Sequence, residues 1–198
     1  MSRQFFNSRA AIWDEEIAEK DTARLEAMIQ CLDIEPGAGV LDVGTGTGVF
    51  VPFLLEKIGP EGKLVCLDFS DTMLDIARGK GFQGNIRYLC ADIDNSGLPA
   101  KSFDAVVCYS VFPHFDNKPK ILREINRILK PGGGLFVCHT SSRNIINDIH
   151  RQLPEVCDHL LPENDAMHEL MSNADFVHIT ISDGDESYLA SARKPATE

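Results

Sequence analysis

The sequence predicts an α/β fold, a doubly wound and mostly parallel seven-stranded sheet in three α/β/α layers with an antiparallel last strand. Three observations carry this expectation. Apolar runs alternate with amphipathic segments from residue 21 to about residue 140, and near-continuous apolar strands suit a parallel sheet covered on both faces. An acid and three alternate glycines follow the first run, in Asp42-Val43-Gly44-Thr45-Gly46-Thr47-Gly48. That pattern describes a strand turning tightly toward a helix, with bare backbone where a nucleotide-like ligand can lie. Near the end, Phe176–Ile181 and Tyr188–Ala192 are joined through Asp183-Gly184-Asp185 with no helix between them, a hairpin signal.

The elements follow in order. Leu25, Met28, Ile29 and Leu32 recur at helical spacing, so about Asp21–Asp33 is an amphipathic helix. Strand Val40–Val43 leads to a helix from about Gly48 to Lys57, then to strand Leu64–Asp68. Ser70 and Asp71 are good N-caps for a helix through Met73, Leu74 and Ala77, ended by Gly79 and Gly81. Strand Ile86–Leu89, a loop over Asp92–Ser102 and strand Ala105–Tyr109 come next. Ile121, Leu122, Ile125, Ile128 and Leu129 mark a helix that Pro131-Gly132-Gly133-Gly134 is expected to stop. Strand Leu135–Cys138 completes the fifth unit, and a helix over Ser142–Leu153 follows. Residues 1–20 read as an N-terminal segment ahead of one domain spanning 21–198.

Composition narrows the function. A chain of 198 residues with 43% hydrophobic content supports one substantial core. A net charge of −11 argues against nucleic acid or an anionic membrane as the main partner. The N-terminus has no apolar signal-peptide core and no run is long enough to span a bilayer, so the chain is expected to be soluble and cytoplasmic. None of the six cysteines forms a C-x-x-C, and Cys66, Cys108 and Cys138 fall inside apolar runs. They read as reduced, buried hydrophobes. The glycine spacing also discriminates: a dinucleotide fingerprint G-x-G-x-x-G/A would place its third small residue where Val49 stands.

Five segments now carry a family resemblance: Asp42-x-Gly44-x-Gly46-x-Gly48, Leu67-Asp68-Phe69-Ser70 with Asp71-Thr72-Met73-Leu74, Ala91-Asp92-Ile93, Phe103-Asp104-Ala105-Val106-Val107, and Arg127-Ile128-Leu129-Lys130-Pro131-Gly132-Gly133. In this order they resemble the class I S-adenosylmethionine-dependent methyltransferases of the small ubiquinone/menaquinone-methyltransferase-like type, with a Rossmann-like fold. The resemblance runs from about Ala23 to Lys194. It implies S-adenosylmethionine as cofactor and a small-molecule methyl acceptor. It also implies a donor site of Asp42, Gly44, Thr45, Gly46, Gly48, Asp68, Phe69, Met73, Asp92, Ile93 and Tyr109. In that site Asp68 takes the ribose hydroxyls and Asp92 the adenine amine. Met73 and Ile93 face the ring, and Asp42 lies near the methionine moiety.

The acceptor side rests on less. After the fourth strand, Tyr109-Ser110-Val111-Phe112-Pro113-His114-Phe115 lacks the Asn/Asp-Pro-Pro-Tyr/Phe signature of enzymes that methylate amino groups of DNA bases or glutamine. His114 after strand four and His139 at the end of strand five are candidate acid/base groups. Arg143, Asn147 and His150 share one stripe of the following helix, so Arg143 and His150 join the catalytic candidates. His114, His139 and His150 also allow an alternative, a metal- or tetrapyrrole-binding protein on the same fold. A nicotinamide-dependent oxidoreductase is the other alternative, opposed by Val49. His159, His168 and His178 read as structural or solvent-facing. The Phe5–Asp14 segment is expected to lie over the site as a lid. Asp175 replaces the glycine usual in relatives before the sixth strand, and Asp tolerates the left-handed region. A monomer or homodimer is expected.

Overall fold

The computed structural model describes residues 3–17 and 19–196; residues 1, 2 and 18 of the expected lid segment lie outside the described residues. Seven strands form one sheet: β1 (Gly39–Val43), β2 (Lys63–Asp68), β3 (Ile86–Cys90), β4 (Phe103–Tyr109), β5 (Leu129–His139), β6 (Val177–Asp183) and β7 (Tyr188–Arg193). Their order is β3-β2-β1-β4-β5-β7-β6. The first five strands pair in parallel, while β7 is inserted between β5 and β6 and runs antiparallel to both. The chain order reverses between β1 and β4, the position beside which ligands of open α/β sheets lie.

The helices are α1 (Arg3–Arg9), α2 (Thr22–Cys31), α3 (Val51–Ile58), α4 (Asp71–Gly79), α5 (Lys118–Ile128), α6 (Arg143–Arg151) and α7 (Asn164–Ser172). Strand alternation divides the core between the two faces. Leu41, Val43, Val106, Cys108, Leu135 and Val137 face α5 and α7, where Leu122, Ile125, Met167 and Met171 cover them. Val40, Cys66, Ala105, Val107, Phe136 and Cys138 face α2 and α3, covered by Leu25, Met28, Val51 and Leu54. Among the described residues no helix is long and apolar enough to cross a membrane.

Local chemistry sets the helix starts. Asp21 accepts from the Ala23 amide, Ser70 from Met73, Asn117 from Lys120 and Ser142 from Ile145, each satisfying an amide that lacks a partner within the helix. α7 is additional to the elements expected from the sequence, although Met167, Leu170 and Met171 have helical spacing.

One expectation is corrected. Pro131–Gly134 does not separate α5 from its strand, because α5 ends at Ile128 and β5 already begins at Leu129. The Gly132 amide donates to the Lys194 carbonyl and the Lys194 amide to the Gly133 carbonyl, which draws the glycines into the sheet. A Cβ on Gly133 would stand 2.9 Å from the Lys130 carbonyl oxygen and 3.0 Å from that of Asp104, so only glycine lets the backbones approach. At the sixth strand Asp175 has φ 60°, the left-handed turn expected of it. His178 (φ 51°) follows inside a register shift between Val177 and Thr180.

Leu54 is wholly buried between α3 and the sheet. Leu54→Ala is expected to cost about 2–5 kcal/mol, read as a lower urea midpoint with an unchanged slope.

Candidate active site

The β1 turn is built around two buried acids. Asp42, 2% exposed at the end of β1, accepts a 2.8 Å hydrogen bond from the Thr45 hydroxyl. Asp68 closes β2, and both its oxygens are engaged. Oδ2 accepts from the Gly46 amide at 2.8 Å and Oδ1 from the Ser70 amide at 2.8 Å. The Gly44 and Thr45 amides donate to the Leu67 carbonyl. The turn is therefore tied along its length to the end of β2.

The three glycines do different work. Gly44 (φ 72°) lies against Val111, whose Cγ2 would be 2.3 Å from an added Cβ. Gly46 (φ 57°) is open: the nearest atom to an added Cβ is the Gly44 carbonyl oxygen at 3.9 Å. Gly48 (φ 84°) packs instead on α4, where Ala77 would stand 3.3 Å from a Cβ, and on Phe82 just beyond that helix, at 2.8 Å. Gly48 does not line the cavity, contrary to the expectation that it touches ligand. Its role is the close packing of the turn on a helix.

Burial pushes the Asp42 carboxyl up to about 7, opposed by the Thr45 hydroxyl and reinforced by the charge of Asp68. Burial also raises Asp68, against the amides of Ser70 and Gly46. A carboxyl held this way binds a cation by giving up a proton.

Two adjoining cavities open beyond the carboxyl ends of β1, β2, β4 and β5. The smaller, about 110 Å³, is lined by Asp68, Phe69, Asp92, Ile93, Val111 and His114, among others. The larger, about 280 Å³, runs from Asp42, Gly44, Thr45 and Gly46 past Asp68, Phe69, Met73 and Tyr109 to His114, His139 and His150. Tyr109 stacks on Phe50 at 4.6 Å between ring centroids, and its hydroxyl lies 3.0 Å from the Thr140 hydroxyl. Among the described residues no Lys or Arg lines either cavity.

The far wall is imidazole. His114 lies 4.8 Å from His150 and 5.3 Å from His159 between ring centroids. Burial lowers His114 well below its ordinary value, aided by the neighbouring His150 and His159. Burial brings His139 down to about 3 and also lowers His150. The His139 ring is 4% exposed, and its Nε2 has no hydrogen-bond partner. The His150 Nδ1 meets the His159 carbonyl, which can only accept. His150 therefore carries its proton on Nδ1 and leaves Nε2 bare.

Two candidates change place. Arg143 does not reach the cavity: its guanidinium pairs with Glu163 at 2.8 Å and Asp183 at 3.3 Å. It anchors α6 to the start of α7 and the end of β6. His159, read as structural, sits instead in the histidine group with its Nδ1 3.1 Å from that of His114. Periodicity had no means of finding it, because it follows α6 in irregular chain. Asn147 is a clamp, donating to the Leu161 carbonyl and accepting from the Leu161 amide. Among the described residues no group of three or more His, Cys, Asp or Glu could hold a metal ion. The rings face one another and a carbonyl rather than a common point.

The N-terminal segment packs over one end of the larger cavity. Phe6 packs on Phe69 and His114, the Ser70 hydroxyl donates to Asn7, and the Thr47 hydroxyl donates to Asp14. Lys80 pairs with the same Asp14 at 2.6 Å.

Residues 41–137 match the family model described as a methyltransferase domain. The chain is 32% identical over 149 residues to the Vibrio campbellii ubiquinone/menaquinone biosynthesis C-methyltransferase UbiE, covering 73% of this chain and 56% of that protein. It is 35% identical over 117 residues to the Pasteurella multocida protein of the same name, covering 57% of this chain and 44% of that protein. The chain thus spans about half the length of the curated relatives it matches. In fold it is similar to an Aquifex aeolicus S-adenosylmethionine-dependent methyltransferase, with a TM-score of 0.72 at 19% identity over 98% of both chains. A Haloferax volcanii putative methyltransferase, solved in complex with a methyltransferase activator, gives 0.81 at 19% identity over 96% of this chain and 97% of that one. These matches favour a methyltransferase over the nicotinamide reading and support S-adenosylmethionine as cofactor. Together with the fold they support a class I S-adenosylmethionine-dependent methyltransferase.

Proposed function

We propose that this chain transfers a methyl group from S-adenosylmethionine to a small-molecule acceptor, with carbon the atom suggested by the relatives' C-methyltransferase name. The observation that carries the reading is one continuous cavity with a glycine–carboxylate turn at one end and a wall of imidazoles at the other. The residues present fit the donor. Open space over Gly46 leaves room for a ligand against bare backbone, and Asp42 supplies a carboxylate for a cationic ligand. Asp68 has both oxygens engaged by amides but keeps a further lone pair on each for a ribose hydroxyl. Asp92 and Ile93, in the smaller cavity with Phe69, suit an adenine; Met73 lines the larger one, as does Tyr109.

The cofactor supplies an already activated methyl group. The chain's own task is then mainly alignment, worth up to roughly 7–11 kcal/mol, together with exclusion of water. Phe6, Phe69 and Trp13 are apolar cover for the cavity, so residues 3–17 act as its lid. His114, His139 and His150 stay neutral and are the groups available to accept a proton.

Calorimetry with S-adenosylhomocysteine tests the donor assignment: Asp68→Ala is expected to abolish binding and His114→Ala to spare it. Equal affinity in wild type and Asp68→Ala would remove Asp68 from the site.

The raised Asp42 carboxyl generates a second prediction. Its folded value, about 7, lies above the ordinary 3.8, so its contribution to stability is full below about pH 4 and lost as pH rises through 7. Asp42→Asn is therefore expected to raise the melting temperature of the ligand-free protein at pH 8 more than at pH 5. Binding of cationic S-adenosylmethionine should weaken by up to about tenfold per pH unit below 7 in wild type. In Asp42→Asn that dependence should flatten, which calorimetry across the range checks.

A further inference from the structure

The pair of imidazoles behind the cavity wall has a geometry that alignment alone does not require. His114 lies in the short helical turn Phe112–His114 after β4 and lines both cavities. Its Nδ1 faces the Nδ1 of His159 at 3.1 Å. Two ring nitrogens at that distance share one proton, since two bare lone pairs or two N–H groups would repel. If His114 is the donor of that bond, its Nε2 is bare on the cavity side. We propose, building on the methyl-transfer reading, that His114 and His159 form a proton exit. His114 takes the proton that the acceptor loses on methylation and passes its own Nδ1 proton to His159, which releases it to solvent.

The balance is complete without a further reactant. The methyl–sulfur bond breaks with its electron pair retained by sulfur, and the acceptor's X–H pair becomes the X–CH3 bond. The freed proton goes to His114 Nε2. The direction of travel is set by surroundings. Desolvation and the adjacent His150, His159, His139 and Lys118 hold His114 far below its ordinary value. His159 is lowered by desolvation too, with Lys118 and His150 adding to the effect, but Asp116 pulls it back up. A proton on His114 therefore moves downhill to His159. His150 cannot replace His159 in this role, because its Nδ1 proton is committed to the His159 carbonyl. That contact also fixes the backbone carrying the His159 ring.

His159 acts through His114 and is a positioning residue.

Histidine-nitrogen NMR on the full chain at neutral pH tests the exit, with S-adenosylhomocysteine calorimetry as its control. The expected spectrum has His114 protonated on Nδ1 and His159 on Nε2. In His159→Phe the partner is gone, and His114 should swing to the Nε2–H form with S-adenosylhomocysteine affinity unchanged within about twofold. An identical His114 tautomer in wild type and His159→Phe overturns the exit. So does a saturable shift of both rings by added zinc, which would make the pair a metal site. Absence of S-adenosylhomocysteine binding in wild type with the tautomer pair intact would instead sink the donor reading. With hydroquinone as acceptor, His159→Phe should slow turnover on the order of 100-fold with little change in KM, and an unchanged rate overturns the exit.

Discussion

The carboxylate of Asp68 is the clasp on which the rest of the site depends. One oxygen holds the Gly46 amide in the turn after β1, and the other holds the Ser70 amide at the start of α4. Ser70 then caps α4 through Met73 and reaches Asn7 on α1. A single buried acid thus links two parallel strands, a turn, a helix and the segment over the cavity. Charge-assisted bonds of this kind are worth about twice a neutral one. They also leave the acid unable to move without the turn moving with it.

This clasp explains why the turn and its acids were legible in the sequence and the wall of histidines was not. Asp42, the glycines, Asp68 and Asp92 stand at fixed offsets from strand ends, and strand ends follow from apolar runs. Position in the chain therefore converts directly into position in the crevice. Gly48 shows where such conversion fails: the turn required it, but for packing on Phe82 rather than for ligand contact. Arg143 shows a second failure. It shared a helical stripe with His150, yet Glu163 and Asp183, distant in sequence, took its guanidinium out of the cleft. His159 lies outside any periodic element, so only the folded chain could bring it to His114.

The strand pattern was legible because the central parallel strands are largely apolar on both faces, while the boundaries moved where backbone pairing overrode residue type. Gly132 and Gly133 read as a helix stop, but their hydrogen bonds with Lys194 made them strand. α7 was overlooked for the opposite reason, since its short apolar stripe of methionines lies in a polar neighbourhood.

The irregularity of β6 has a consequence for how molecules meet one another. A strand at a sheet border exposes unpaired amides and carbonyls that invite another chain to add on. In β6, which borders the sheet, His178 adopts a left-handed conformation beside a break in register, and much of the strand is exposed. Such a bulge bends the border away from the flat template that edge-to-edge growth needs. His178, a departure from regular strand geometry, thereby makes this border a poorer template for a second chain.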